Sequence, residues 1–248
     1  MRITFLVNHD IAALLALNHL LPSLRQHQVE ILYSDTQNDN PELPRALACL
    51  KHFDAKLVAQ AAGLRSFAQL GAIQANDVNK QEYELLSSQQ PDLIVSIRYM
   101  TILQQRCIDL PPLGVINLHS GALPNYQGVM ASFWAMLNDE PQLATSLHWI
   151  EDATIDSGRI IARSTIQTDY EKSYLCNVLR LYSGGCGLIL DAIDSIAETG
   201  TAGSRQQTGE AQYFSFPSQV DIDRATFKLF SSSDSAALFN HSAASFTD

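Results

Sequence analysis

Residues 114–124, GVINLHSGALP, combine the apolar start of a β-strand with two polar side chains at its end. Because alternate residues of a strand point to the same side, Asn117 and His119 are expected to project together from its carboxyl end. Asp156 follows Asn117 by 39 positions (117 to 156), in a second turn flanked by apolar residues. An amide donor, a titratable imidazole and an orienting carboxylate are the groups that chemistry at a carbonyl carbon needs.

The pattern around this stretch alternates short apolar runs with helical segments, which predicts an α/β fold with a doubly wound, mostly parallel, Rossmann-like sheet. Strands are predicted at 3–7, 29–33, 55–59, 93–97, 114–116, 144–150 and 159–166. Helices are predicted at 11–25, with Asp10 as the cap, and at 42–52, 79–88, 129–138 and 174–197. Glycines within the last helix are expected to permit close packing on the sheet.

The domain organisation follows from a change in composition near residue 198. We expect a catalytic domain over residues 1–198 and a small C-terminal extension over 199–248, made of a linker, a short segment with a helix near 220–230 and a loose tail. Ligands of doubly wound sheets bind beyond the carboxyl ends of the strands. Polar residues are predicted there at 8–10, 98–99 and 117–119.

Composition excludes several classes of function. The chain has 248 residues, 46% hydrophobic, with a net charge of -10 and no cluster of Lys and Arg, which argues against a nucleic-acid partner. It lacks an apolar run of membrane-spanning length and an N-terminal signal peptide, so a cytoplasmic protein with no membrane partner is expected. The four cysteines form no C-x-x-C pair and are expected to be reduced and buried; no metal site is predicted.

Two motifs resemble those of the folate-dependent formyltransferase family. The first is NLHSGALPNYQG at 117–128, where that family has Asn-x-His, small residues, Leu-Pro, an aromatic residue and Gly. The second is IDSGRII at 155–161, and the order of the helix and strand between the motifs is also similar. The resemblance is strongest over residues 91–166.

The resemblance implies a reaction and a set of residues. The formyl donor would be 10-formyltetrahydrofolate and the acceptor a primary amine, with Asn117, His119 and Asp156 as the catalytic residues. The implied folate-binding residues are Tyr99, Met100, Ile102, Leu103 and Asp152. The implied acceptor-binding residues are Asn8, His9, Tyr126 and Gln127. A homodimer is a further expectation from the family.

Several alternatives stay open at the level of single residues. The loop before Asp156 is one residue longer than is usual in the family, which makes Asp152 a rival carboxylate. Asp156 is preferred because Ser157 and Gly158 follow it, as the motif requires. Gln127 stands where several relatives have Arg. The apolar run at 99–103 reads equally well as part of the core, and a structural role for His148 is as plausible as a place near the site.

The range of candidate acceptor amines is limited by two motifs that the sequence lacks and by its C-terminal residues. The phosphate-binding Gly-Ser-Asn loop of glycinamide ribonucleotide formyltransferases is replaced by NHDIA at 8–12, and no basic tRNA-binding domain follows. The segment YFSFP at 213–217 is similar to that of sugar N-formyltransferases. A nucleotide-linked amino sugar for surface polysaccharide such as lipopolysaccharide is therefore the first choice. A hydroxyornithine-type siderophore precursor, a deformylase reaction with water and a non-catalytic folate- or nucleotide-binding module are the alternatives.

Overall fold

A computed structural model of the chain describes residues 1–35 and 43–234. Within these residues, strands and helices alternate through most of the sequence, in agreement with the predicted pattern. The strands are β1 (Arg2–Asn8), β2 (Gln28–Ser34), β3 (Ile73–Gln74), β4 (Leu93–Ile97), β5 (Val115–His119), β6 (Gln127–Gly128), β7 (Gln142–Ile150), β8 (Ile160–Gln167) and β9 (Tyr213–Phe214). The helices are α1 (Ile11–Leu20), α2 (Arg45–Gln60), α3 (Tyr83–Ser88), α4 (Gln105–Ile108), α5 (Ala131–Leu137), α6 (Tyr174–Thr199) and α7 (Gln219–Arg224).

The main sheet has seven strands in the order β3-β2-β1-β4-β5-β7-β8. The first five strands of that order are parallel, while β7 runs antiparallel to β5, and β8 runs antiparallel to β7. Strands β6 and β9 form a separate small parallel pair. The predicted doubly wound, mostly parallel α/β fold is therefore confirmed.

The central strands are buried on both faces, as their continuous apolar sequences require. Phe5 and Val7 of β1 belong to a cluster that includes residues of α1 and α6, whereas Leu6 belongs to a second cluster with residues of α3 and α4. Helix α1 begins at Asp10, whose carboxylate accepts a hydrogen bond from the N–H of Ala13 at 2.8 Å, as the capping prediction required.

The predicted elements differ from the structure in type at 55–59 and in extent elsewhere; the helix predicted at 79–88, for example, begins only at Tyr83. Residues 55–59 were expected to form a strand but belong to α2, because a short apolar run fits one face of a helix as well as it fits a strand. The edge position in the sheet is taken by β3, whose two residues are exposed. The first predicted helix ends as an α-helix at Leu20 and continues as a 3-10 turn that contains Pro22. The predicted start of α2 at Glu42 lies outside the described residues.

Two glycines of α6 allow the helix to approach the sheet closely. A Cβ added at Gly184 would lie 2.1 Å from Ser164 Oγ, and one at Gly185 would lie 2.9 Å from Leu118 Cδ2. A Cβ at Gly187 would meet nothing within 4 Å. The packing role expected for these glycines therefore applies to the first two.

The residues that follow α6 lie against β8 and β6. Arg205 pairs with Ile160 of β8, and β9 pairs with β6. The predicted helix near 220–230 is shorter, since α7 ends at Arg224. The division at residue 198 remains a prediction.

Among the described residues, no helix combines the length and apolar character needed to cross a membrane. Three of the cysteines are buried, but Cys49 is exposed, contrary to expectation.

Candidate active site

Strand β5 presents two polar side chains on the sheet face opposite α1 and α6. Ile116 and Leu118 belong to the cluster on the α1 and α6 side, whereas Val115 belongs to the other cluster. Because side chains alternate along a strand, Asn117 and His119 share the face of Val115. The arrangement predicted for this pair is the one that the fold produces.

Asp156 meets both of these side chains. Its carboxylate lies 3.4 Å from Nδ1 of His119 and 3.5 Å from Nδ2 of Asn117, and Oδ2 accepts the N–H of Gly128 at 2.8 Å. Asp156 adopts a left-handed backbone conformation with φ of 51° in the turn between β7 and β8. Gly158 makes this turn possible, since a Cβ there would lie 1.8 Å from the carbonyl oxygen of Trp149.

The environment keeps Asp156 ionised. Burial by itself would raise the pKa of its carboxyl group, but the neighbouring imidazole of His119 and the N–H of Gly128 help to lower that pKa to about 2. The carboxylate therefore carries a full negative charge throughout the neutral pH range, in a site where its side chain is only 10% exposed.

Both ring nitrogens of His119 face oxygen acceptors. Nε2 lies 2.6 Å from the carbonyl oxygen of Tyr126, so this nitrogen carries a proton and donates it. Nδ1 faces the carboxylate of Asp156. A second proton on Nδ1 would form a charged hydrogen bond, which makes this imidazole a suitable group for receiving and returning a proton.

His148 is a further member of the site, and the sequence left its role open. It stands directly opposite Asn117 in the antiparallel register of β5 and β7. Its Nδ1 donates to the carbonyl oxygen of Trp149 at 2.8 Å, so Nε2 is free to accept the N–H of Asn117 at 3.1 Å. That Nε2 also lies 3.4 Å from Asp156. The place of His148 beside Asn117 follows from the register of β5 and β7, which the sequence alone does not fix.

The residues expected to bind folate fall into two groups. Leu103 is buried in the core, and the hydroxyl of Tyr99 donates to the carbonyl oxygen of Ala75 at 2.6 Å. Met100 and Ile102 are exposed at 40% and 56%, after the end of β4. Asp152 is exposed and accepts the N–H of Thr154 at 2.7 Å, so the structure places Asp156 rather than Asp152 beside His119.

The residues expected to bind the acceptor are also divided. Tyr126 and Gln127 lie at the site. The carbonyl oxygen of Tyr126 contacts His119, and the side-chain amide of Gln127 donates to the carbonyl oxygen of Asp156 at 3.1 Å. Asn8 and His9 lie at the end of β1, two strands away from β5. The amide of Asn8 donates to Asp10, and the ring of His9 packs against Tyr33 and Phe67.

A cavity of about 420 Å³ opens beside the loop that follows His119. Its walls include Ser120, Asn125, Tyr126 and Glu140 but none of the three predicted catalytic residues. The hydroxyl of Tyr126 donates to Glu140 at 2.7 Å, while the carbonyl oxygen of Tyr126 lies 2.6 Å from Nε2 of His119. Across the described ranges, no group of three or more His, Cys, Asp or Glu residues is arranged to hold a metal ion.

The fold is shared with a solved N-formyltransferase. The structure from Helicobacter canadensis, in complex with folinic acid and dTDP-3-aminofucose, superposes with a TM-score of 0.59 at 18% identity, covering 92% of this chain and 81% of that chain.

Curated relatives carry two different kinds of name. A GDP-perosamine N-formyltransferase from Brucella melitensis is 29% identical over 182 residues, which is 68% of this chain and 69% of that protein. A methionyl-tRNA formyltransferase from Fusobacterium nucleatum is 34% identical over 113 residues, 46% of this chain and 36% of that protein. The chain aligns with between 34% and 45% of the length of the first methionyl-tRNA formyltransferases that it matches.

A family model described as formyl transferase matches residues 1–175. This range covers β1 to the start of α6, including both motifs and the three residues that meet at Asp156. The protein belongs to the formyl transferase family.

Proposed function

We propose that the protein transfers the formyl group of 10-formyltetrahydrofolate to a primary amine, through Asn117, His119 and Asp156. The observation that carries the proposal is the convergence of an amide, an imidazole and an ionised carboxylate within hydrogen-bonding reach at one end of β5. The folate bound in the Helicobacter canadensis neighbour supports the choice of donor.

The proposed reaction balances with these three side chains. The amine nitrogen attacks the formyl carbon and forms a C–N bond, while negative charge develops on the formyl oxygen. Asn117 has two N–H groups, of which one donates to His148 and the other makes a long contact of 3.5 Å with Asp156. The second N–H is the one available to an oxyanion. Collapse then breaks the bond between the formyl carbon and N10 of the folate, and the amine proton passes to N10. We assign this transfer to His119, for which Nε2 must exchange its contact with the carbonyl oxygen of Tyr126 for the substrate.

Binding of the folate is assigned to the loop after β4. Met100 and Ile102 supply exposed apolar surface at the carboxyl end of that strand, adjacent to β5 in the sheet. Exposed apolar side chains at this edge fit the flat face of a pterin ring. Tyr99 and Leu103 would not contact the folate but would anchor the loop to the core.

For the acceptor we propose an amino group on a nucleotide-linked sugar. The GDP-perosamine N-formyltransferase aligns over more than two thirds of its length, in contrast to the methionyl-tRNA formyltransferases. Asn125 and Tyr126, beside the cavity next to His119, are the residues proposed to face the sugar. A cytoplasmic homodimer that serves surface polysaccharide synthesis is the accompanying prediction.

The test is an acceptor panel. The protein is incubated with 10-formyltetrahydrofolate and GDP-linked or dTDP-linked amino sugars, hydroxyornithine, methionyl-tRNA or no amine, and release of tetrahydrofolate is followed. Release that depends on an amino sugar supports the proposal. Release without any amine would identify a deformylase, and release only with methionyl-tRNA would replace the sugar as acceptor. Folate binding with no turnover on any arm would indicate a binding module.

A further inference from the structure

The C-terminal extension contains a segment, residues 205–214, that binds both loops of the candidate active site; we call it the strap. Arg205 exchanges two backbone hydrogen bonds with Ile160, just after the turn that holds Asp156. At the other end, backbone hydrogen bonds join Gln212 to Pro124 and Gln127, and Phe214 to Val129. The strap therefore links the loop after His119 to the turn that carries the carboxylate.

Gln207 makes the contact nearest to the chemistry. Its Nε2 donates to the carbonyl oxygen of Asp156 at 2.7 Å and to that of Gly158 at 2.8 Å. The amide of Gln127 donates to the same oxygen of Asp156 from the other loop at 3.1 Å. The orientation of Gln207 is fixed, because a flipped amide would place its oxygen against two carbonyl oxygens.

This orientation has a cost. Oε1 of Gln207 is buried and has no hydrogen-bond partner among the described residues. A buried acceptor left without a partner destabilises the folded state. The two hydrogen bonds to the Asp156–Gly158 turn are thus kept at the expense of an unsatisfied oxygen on the same side chain.

The turn needs this support because Asp156 is not a glycine. A left-handed backbone is unfavourable for a residue with a Cβ, and here φ is 51°. Any relaxation of the turn would rotate the carboxylate away from His119 and from the N–H of Gly128, which it contacts at 3.4 and 2.8 Å. Holding the carbonyl oxygen of Asp156 therefore holds its carboxylate.

We propose that Gln207 is a positioning residue, which fixes the Asp156 turn so that the carboxylate stays on His119. The matched family region ends at residue 175, so this role belongs to a part of the chain beyond it. The proposal rests on the proposed formyl transfer for its kinetic readout, but it also predicts a spectroscopic effect that needs no substrate.

The test compares Gln207→Met, which keeps length but removes both donors, with Gln206→Met at the exposed neighbouring position. We expect Gln207→Met to lower kcat at least tenfold, with the KM of folate and of amine within about threefold, because ground-state binding does not use this contact. In ¹⁵N-histidine spectra of the free protein, the Nδ1 signal of His119 should shift in Gln207→Met and stay in place in Gln206→Met.

A conservative variant keeps the proposal falsifiable if the methionine variant does not fold. Gln207→Lys retains a donor of similar reach, so it should keep kcat within about threefold of the unsubstituted protein. An unchanged His119 signal in Gln207→Met, or a lysine variant that loses turnover tenfold or more, would overturn the positioning role. Absence of turnover in the unsubstituted protein would overturn the proposed reaction alone, since the spectra still report on the turn.

Discussion

The alternation of side chains along β5 sets the direction of the Asn117 side chain, and the register of β5 with β7 sets its neighbour, His148. Its side chain shares a face with His119 because the two residues are separated by one position on β5, and it reaches His148 because the two residues pair across β5 and β7. The first relation can be predicted from any correctly assigned strand. The second requires the antiparallel pairing, for which the sequence offers no local signal, so the contribution of His148 appears only in the folded chain.

We expect Asn117→Ala to reduce turnover at least tenfold, and up to about 1,000-fold, because it removes the donor proposed to face the formyl oxygen. The variant should remain folded, since the amide makes no backbone hydrogen bond. The measurement is kcat for tetrahydrofolate release, with the circular dichroism spectrum and the melting temperature as controls. A rate within twofold of the unsubstituted protein would remove Asn117 from the mechanism.

At the scale of elements, helices and strands with a clear pattern of apolar residues could be predicted from the sequence, whereas their first and last residues could not. Strands β1 and β4 were identified by continuous apolar runs that only a buried parallel strand would carry. The run at 55–59 failed as a strand because a few apolar residues fit a helix face equally well. Strand β3 had no signal, since two exposed residues do not form a period.

The glycines of α6 give a test of helix packing on the sheet. Gly187→Ala should stabilise the fold by about 0.5–1 kcal/mol, because alanine has the higher helix propensity and its Cβ would enter open space. Gly185→Ala should be less stable than the unsubstituted protein, because its Cβ would lie 2.9 Å from a buried methyl group of Leu118. Urea unfolding of both variants measures the difference. Equal stabilisation by the two substitutions would contradict the close packing of α6 on β5.

For the whole molecule, a half-buried acid of α2 links stability to pH; Asp54 accepts the N–H of Ile11 at the start of α1, at 3.2 Å. Burial, and next the negative charge of Asp10, raise the pKa of Asp54 to about 7, although the charge of Arg98 acts in the opposite direction. In the unfolded chain this carboxyl titrates near pH ~3.9. Between these values the folded state binds more protons than the unfolded state, so the free energy of unfolding falls as pH rises from about 4 to 7.

We therefore expect Asp54→Asn to remove part of this pH dependence. The melting temperature of the unsubstituted protein should fall more between pH 5 and pH 8 than that of the variant, because the amide mimics the protonated acid and does not titrate. Asp152→Asn, at an exposed carboxyl whose pKa is lowered by the N–H of Thr154, is the matched control and should behave like the unsubstituted protein. Parallel curves for all three proteins would contradict the raised pKa of Asp54.

The reaction as a whole depends on which carboxylate serves His119. The sequence favours Asp156 over Asp152 because Ser157 and Gly158 follow it as the second motif requires, and the fold places Asp156 at 3.4 Å from Nδ1 of His119 and leaves Asp152 in solvent. The distance to His119 could not be predicted from the sequence, because it depends on how the turn between β7 and β8 folds back over β5.

The most direct measurement is the single-turnover rate of formyl transfer from 10-formyltetrahydrofolate to a nucleotide-linked amino sugar in Asp156→Asn and Asp152→Asn. The amide at 156 keeps the shape but lacks the negative charge that stabilises a proton on His119, so the rate should fall roughly 100-fold or more. The rate of Asp152→Asn should equal that of the unsubstituted protein. Full activity in Asp156→Asn, or an equal loss in both variants, would contradict the assignment of the catalytic site.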